Sequence, residues 1–325
     1  MTPAEFRTLP GDSPPQAKAF WLRTEDGVRL RAALWRSDSP QGSVLLFPGR
    51  TEYIEKYDPV ALQLNAAGFD VISADWRGQG QSDRLIADPR PGHIAHFLDY
   101  QRDVIELVVA AKELGLPRPW HLLAHSMGGA IGFAALQDGL PVVSAAFSAP
   151  MWGLNRTWPV LQLARLITAL AEKTGYSECP APGSGGYDPF VLRASFRKNL
   201  LTTDGPRWGR IVAEAASWPE QAIGGVSNHW LSEALAECTR MAALPSPALP
   251  ALVGLGSDER IVSPDAIRRR VRMWPEARLM LLPGCRHEPM MERDRIRTLF
   301  LDAVLTHFRT AAQRPDPPNG EGSGI

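Results

Sequence analysis

Trp120-His-Leu-Leu-Ala-His-Ser-Met-Gly-Gly129 begins as a short apolar run, places a serine between small residues, and continues into a helix-compatible stretch, Ala130-Ile-Gly-Phe-Ala-Ala-Leu136. It reads as a strand entering a helix with Ser126 at the tip of the turn. Such a nucleophile elbow holds its serine in a strained conformation that exposes Oγ, and strand and helix approach closely only if the residues two places either side are small. Here these are Ala124 and Gly128. The usual pattern has glycine at both positions, so Ala124 departs from it by one methyl.

The flanking sequence sets the elbow in a sheet. Ala19 to Thr24 and Val28 to Trp35 are extended runs joined across Glu25-Asp26-Gly27, a hairpin signal. Ser43–Phe47, Asp70–Ala74, His121–Ala124 and Val142–Phe147 are short apolar runs that alternate with helical patterns such as Asp99–Leu114, where Val104, Ile105, Val108 and Val109 are read as one face. Strands apolar on both faces and separated by helices make a mostly parallel sheet covered on both sides, an α/β fold. From Met151 to Ala243 the rhythm stops. That segment is helix-like at Trp158–Ala171, irregular from Glu178 to Gly186, and carries five of the ten tryptophans. The rhythm resumes with Ala251–Leu255, a helix near Asp265–Met273, Arg278–Leu282 and a last helix from Glu292 to Phe308. The expected organisation is a core of residues 1–150 and 244–310, a helical cap over residues 151–243, and a disordered Pro- and Gly-rich tail over 311–325.

Composition narrows the partners. With 35 basic and 35 acidic residues the formal net charge is zero, so no field favours nucleic acid. A neutral or small substrate is expected. Cys179, Cys238 and Cys285 are scattered and odd in number, which fits neither a disulfide framework nor a zinc site. No signal-peptide core opens the chain and no run reaches the roughly 18 apolar residues of a membrane span. The expectation is a cytoplasmic protein without a transmembrane segment.

A serine hydroxyl needs a neighbouring base, and the base needs an orienting acid. Leu281-Leu-Pro-Gly-Cys-Arg-His287 puts a histidine on the loop after the last expected strand, and Leu252-Val-Gly-Leu-Gly-Ser-Asp258-Glu259 puts two acids on the loop before it. Serine, acid, histidine is the chain order of the α/β hydrolases. The oxyanion formed on attack needs two fixed backbone donors. Met127 N–H, just after the serine, is one candidate, and Arg50 N–H, in Phe47-Pro-Gly-Arg-Thr51, is the other. The bland reading of Ser126 as a helix N-cap loses weight because acid, histidine and oxyanion loop all occur in order.

Taken together, Phe47-Pro-Gly-Arg-Thr-Glu-Tyr-Ile-Glu-Lys-Tyr57, Gly68-Phe-Asp-Val-Ile-Ser-Ala-Asp-Trp-Arg-Gly-Gln-Gly-Gln-Ser82, Ala124-His-Ser-Met-Gly-Gly129 and Gly284-Cys-Arg-His287 resemble the monoacylglycerol lipase and lysophospholipase branch of the α/β hydrolases. The likeness spans most of residues 15 to 310, strong in the core and weaker in the cap. Pro48 and Gln79 stand where relatives often carry histidine. The resemblance also implies an acid nine residues after the proline that opens the strand, directly before a basic residue; Pro250 and Arg260 put Glu259 there, with Asp258 as its rival. It implies ester cleavage through an acyl-enzyme on Ser126, His287 and Glu259, a single-chain lipid ester as substrate, possible peripheral membrane contact, and no metal or organic cofactor.

Three rivals stand beside this. A proline-iminopeptidase-like serine peptidase of the same fold would anchor a substrate amine on cap acids, of which Glu172, Glu178, Asp188, Asp204 and Glu214 are available. A perhydrolase or dehalogenase is disfavoured, the latter because it would want aspartate at position 126. A catalytically silent, small-molecule-binding α/β hydrolase would not need an intact triad. His93 and His96 have metal-like spacing without further ligands, His125 reads as packing the elbow, and Cys285 as a structural loop residue.

Overall fold

The computed structural model describes residues 1–313. Strands β1 (Thr2–Pro3), β2 (Lys18–Arg23), β3 (Arg29–Trp35), β4 (Gly42–Phe47), β5 (Phe69–Ala74), β6 (Trp120–His125), β7 (Ser144–Ser148), β8 (Ala251–Gly256) and β9 (Ala277–Leu282) form one sheet in the order β1-β2-β3-β5-β4-β6-β7-β8-β9. The β2–β3 hairpin and the β3–β5 pair are antiparallel, and every pair from β5 to β9 is parallel. The crossovers are α1 (Asp58–Ala66), α2 (Tyr100–Glu113), α3 (Met127–Gln137) and α8 (Pro264–Arg272), and α9 (Asp294–Ala312) closes the chain.

The apolar runs are buried on both faces because alternate residues feed two separate cores. Leu45 and Phe47 of β4, Leu122 and Ala124 of β6, and Val253 and Leu255 of β8 pack in one, with Phe133 of α3 and Leu107 of α2. Val44, Leu46, Leu123 and Leu252 point into the other, against Val60 and Leu64 of α1 and Phe300, Val304 and Phe308 of α9. The face expected for α2 needs correction. Val104 is buried and Val108 partly so, but Ile105 is 61% and Val109 38% exposed. The stripe that packs is Tyr100, Asp103, Val104, Leu107, Ala110 and Ala111. Asp103 earns its place by accepting from Arg77 Nε at 2.7 Å, an ion pair that an apolar count overlooks.

Between β7 and β8 lie α4 (Trp158–Thr174), α5 (Phe190–Arg193), α6 (Gly205–Ser217) and α7 (Asn228–Ala243), with irregular backbone from 178 to 186. This segment is tied to the loops at the C-terminal ends of the strands: Gly92 N–H donates to Gly225 O (2.9 Å), Gly224 N–H to Arg90 O (2.7 Å), and Glu288 N–H to Leu201 O (2.9 Å). At the other end of the chain, Ala311 and Ala312 extend α9 rather than beginning a tail. The remainder of the expected tail, 314–325, lies outside the described residues.

Candidate active site

Four loops meet at the C-terminal edge of the sheet. β6 runs into α3 through Ser126, whose φ of 50° and ψ of −117° lie in a region costly to a residue with a Cβ. The turn is clamped by Ser126 N–H to Ser148 O (3.0 Å) and by Gly129 and Met151 N–H to Ser126 O (2.9 and 2.8 Å). Small neighbours are compulsory. A Cβ on Gly128 would stand 2.3 Å from Phe47 O, and one on Gly129 2.5 Å from Pro150 Cβ. Ala124 is tolerated because its methyl faces Gly132, where the missing side chain leaves it room.

The Ser126 side chain makes no capping bond to α3. Its Oγ lies 2.8 Å from His287 Nε2, and His287 Nδ1 lies 2.7 Å from Glu259 Oε2. A carboxylate only accepts, so Nδ1 carries the proton and Nε2 presents its lone pair to the hydroxyl. Glu259 is fixed in turn, Oε1 accepting from Ile261 N–H (2.6 Å) and Val262 N–H (3.1 Å). Burial raises the pKa of this carboxyl, but His287 and the two backbone donors outweigh it and hold it below the ordinary value. Burial likewise lowers the His287 pKa; the carboxylates of Glu259, Glu288 and Glu52 more than offset that and hold it above the ordinary histidine value. Asp258 is exposed. Its carboxylate accepts only from Ser257 Oγ (3.2 Å), and its N–H donates to Cys285 O (2.9 Å), so of the two candidate acids it is Glu259 that meets the histidine.

The oxyanion loop follows β4. Met127 N–H opens α3, where first-turn amides have no intrahelical acceptor, and Arg50 lines the same cavity. Sequence reasoning missed how firmly this loop is held. Trp76 Nε1 donates to Pro48 O (2.9 Å), Gly49 N–H to Glu52 Oε2, and Thr51 N–H to Gln79 Oε1 (2.5 Å). Gln79 thus has a structural task at the position where relatives often have histidine. The Arg50 guanidinium reaches Gly224 O at 3.0 Å, joining the loop to the segment between β7 and β8.

Beneath the loop lies a buried charge cluster. Lys56 Nζ is 2.7 Å from both Glu52 Oε1 and Glu288 Oε1, and Tyr57 OH donates to Glu52 Oε2 (2.5 Å). Glu52, His125 and Glu288 are the one metal-like grouping among the described residues, and the Lys56 ammonium already supplies the cation there. The Glu52–Lys56 spacing of four was the available signal. His125 donates from Nδ1 to Ser148 O (2.9 Å), and burial pushes its pKa down to about 4, so it is neutral and spent on packing the elbow. His93 bonds Ser227 Oγ (3.0 Å), His96 N–H donates to Asp99 Oδ2 (3.1 Å), and neither histidine belongs to a metal-like grouping among the described residues.

The triad faces a cavity of about 410 Å³ whose walls come from both the sheet edge and the segment between β7 and β8, including Val160, Leu161, Ile211, Ile223, Trp230 and Leu235. A mostly parallel sheet between helices, with serine, acid and histidine following β6, β8 and β9 and an insertion between β7 and β8, defines an α/β hydrolase. The sequence profile of the serine aminopeptidase S33 family matches residues 38–294, and the chain belongs to this family. It is 31% identical to lysophospholipase L2 of Escherichia coli (strain K12), across 94% of this chain and 92% of that one. A probable lysophospholipase L2 of Haemophilus influenzae is 28% identical over 82% of each. In structure it is similar to a soluble variant of monoglyceride lipase from Saccharomyces cerevisiae in complex with a substrate analog (TM-score 0.72, 18% identity, 96% of this chain and all of that one). Among the described residues no helix is long and apolar enough to cross a membrane.

Proposed function

We propose that the chain hydrolyses carboxylic esters of single-chain lipids through an acyl-enzyme. The observation that carries this is the continuous hydrogen-bond relay from Ser126 Oγ through His287 to Glu259, opening into a largely apolar cavity. His287 Nε2 takes the Ser126 proton as Oγ attacks the carbonyl carbon, while Met127 and Arg50 N–H hold the oxyanion. The imidazolium then gives the proton to the leaving alcohol. Water, deprotonated by the same histidine, attacks the acyl-enzyme and releases the acid. The likeness to lysophospholipases and monoglyceride lipases supports the substrate class.

The peptidase rival finds no anchor for an amine. The only carboxylates lining the cavity are Glu52 and Glu288, both bonded to Lys56, and none of the five cap acids reaches it. Glu214 is spent on Tyr53 OH and Arg210, Glu172 on His229, and Asp204 on capping α6.

Residues 151–243 act in this reading as the acyl-binding cap. Burial of a chain is worth about 0.8 kcal/mol per CH₂, so kcat/KM for p-nitrophenyl esters rises from acetyl to octanoyl. A flat or falling series with good turnover of aminoacyl anilides would replace the lipid reading by the peptidase one.

Helix α4 presents Trp158, Leu163, Leu166 and Leu170 outward, with Leu166 67% exposed, while Leu161 and Ala164 line the cavity. A helix apolar on its outer face as well suits a lipid surface. We expect binding to phosphatidylcholine vesicles in sedimentation, lost in L166E/L170E while turnover of short soluble esters stays at the wild-type level. Equal vesicle binding by both proteins would remove α4 from this role. The three unpaired cysteines suit a reducing compartment, the cytoplasm.

A further inference from the structure

Beside the acyl cavity lies a second cleft of about 330 Å³, sharing Leu154, Arg156, Leu161 and Leu235 with it. Its lining includes Arg156, Arg165, Arg269 and Arg270 and no carboxylate. In a chain with equal numbers of acids and bases, four arginines around one small space without a counter-charge is a marked segregation. Arg270 is structurally committed: its guanidinium donates to Leu244 O at 2.8 Å and to Met241 O, holding the end of α7. The other three are not. Arg156 donates only to the carbonyl of Asn155 (2.8 Å), Arg165 only to Thr239 Oγ1 (2.8 Å), and the Arg269 side chain has no hydrogen-bond or ion-pair partner among the described residues.

A fifth arginine joins them from the triad loop. Leu154 pairs with Val262 in an antiparallel bridge, and Asn155 N–H donates to Ile261 O (3.0 Å). The chain turns directly after this pairing, Arg156 N–H donating to Leu154 O (2.9 Å), and Arg156 and Arg260 both line the acyl cavity. Like charges lining one space repel one another, and no carboxylate lines the cleft. An anion between them would relieve the repulsion. The guanidinium fork matches the oxygens of a phosphate, donating paired charge-assisted hydrogen bonds.

We infer that this cleft binds the phosphate of the substrate's head group, so that the preferred substrate is a single-chain phospholipid rather than a neutral monoacylglycerol. The inference rests on the lipid-esterase reading. The acyl chain occupies the 410 Å³ cavity, the ester lies at Ser126, and the phosphodiester monoanion on the leaving glycerol lies against Arg156, flanked by Arg260, Arg165 and Arg269. Only the acyl C–O bond breaks. Water supplies hydroxyl to the acyl group and a proton to the alcohol, and the phosphate leaves intact on its glycerol.

The test compares octanoyl-glycerophosphocholine with octanoylglycerol, both below their micelle concentrations, on wild type and R165Q/R269Q. Neither residue belongs to the triad, the oxyanion loop or the lining of the acyl cavity. Charge-assisted contacts of this kind are lost with an expected drop of at least about tenfold in kcat/KM for the phospholipid, carried by KM, against less than about twofold for octanoylglycerol. R156K, which keeps charge without the fork, falls between wild type and R156Q. Inorganic phosphate should compete with the phospholipid and leave octanoylglycerol turnover unchanged. Equal losses on both substrates, no loss on either, or phosphate altering octanoylglycerol turnover as well would overturn the inference. Wild type that cleaves neither lipid brings down the lipid-esterase reading and the cleft with it. Wild type that cleaves both, with a ratio untouched by the arginine variants, brings down the cleft alone.

Discussion

Ser126→Ala is expected to abolish labelling by a fluorophosphonate probe and to lower kcat/KM for p-nitrophenyl and lipid esters by on the order of 10⁴-fold or more. The reason is local. Among the described residues, only at Ser126 do a strained φ of 50°, a helix N-terminus and an imidazole lone pair at 2.8 Å coincide. His125 offers no substitute, since burial keeps it neutral and its Nδ1 is committed to Ser148 O. Alanine removes one oxygen without adding volume and leaves the clamping bonds of the turn, which are all main-chain, in place. The melting temperature should therefore stay near that of wild type, which separates loss of chemistry from loss of fold. What turnover remains comes from binding and the oxyanion donors, which the substitution does not touch. Undiminished ester turnover by this variant, or probe adduct on another serine, would remove the whole mechanism.

The difference between what could be read from sequence and what could not is one of range. Elements whose identity is written in local pattern, such as the β2–β3 hairpin around Asp26-Gly27 and the apolar runs of β4 to β8, are found within a residue or two of where periodicity puts them. In α2 the valine and isoleucine spacing points partly to the wrong face, because Asp103 packs inward on Arg77 while Ile105 and Val109 face solvent. Serine and histidine were legible because chain order in parallel sheets fixes which loops converge. The choice between adjacent acids was not settled by order; it turns on which side chain folds back under Ile261 and Val262 N–H, a matter of one residue of loop geometry. Least legible were the constellations made from distant segments: Lys56 between Glu52 and Glu288, and Arg156, Arg165, Arg269 and Arg270 around one cleft. Each is an ordinary surface charge in sequence. Only the sheet edge brings them together.

Glu259→Gln should lower kcat by about 10³- to 10⁴-fold, while Asp258→Asn changes it little. The amide cannot serve both sets of donors that the carboxylate serves. Oε1 meets two backbone N–H groups and Oε2 meets Nδ1–H of His287. Glutamine has one acceptor oxygen. If that oxygen takes the two backbone donors, the NH₂ group faces Nδ1 and selects the tautomer protonated at Nε2, which cannot accept the Ser126 proton. If it faces His287 instead, the NH₂ group is pressed against two N–H donors at 2.6 and 3.1 Å in wild type. Asp258 faces solvent and Ser257 Oγ, so its amide variant meets neither problem. The pH profile gives a second readout. The proposed mechanism needs neutral His287, and because Glu259 helps hold its pKa above the ordinary value, wild-type activity should rise with pH through that raised pKa. Removing the carboxylate removes the support for the imidazolium, so the limb of the residual Glu259→Gln activity moves to lower pH. In Asp258→Asn it stays where it is. The reverse ranking of the two variants, or a limb that moves only in Asp258→Asn, would transfer the acid's role to Asp258 and leave Ser126 and His287 standing.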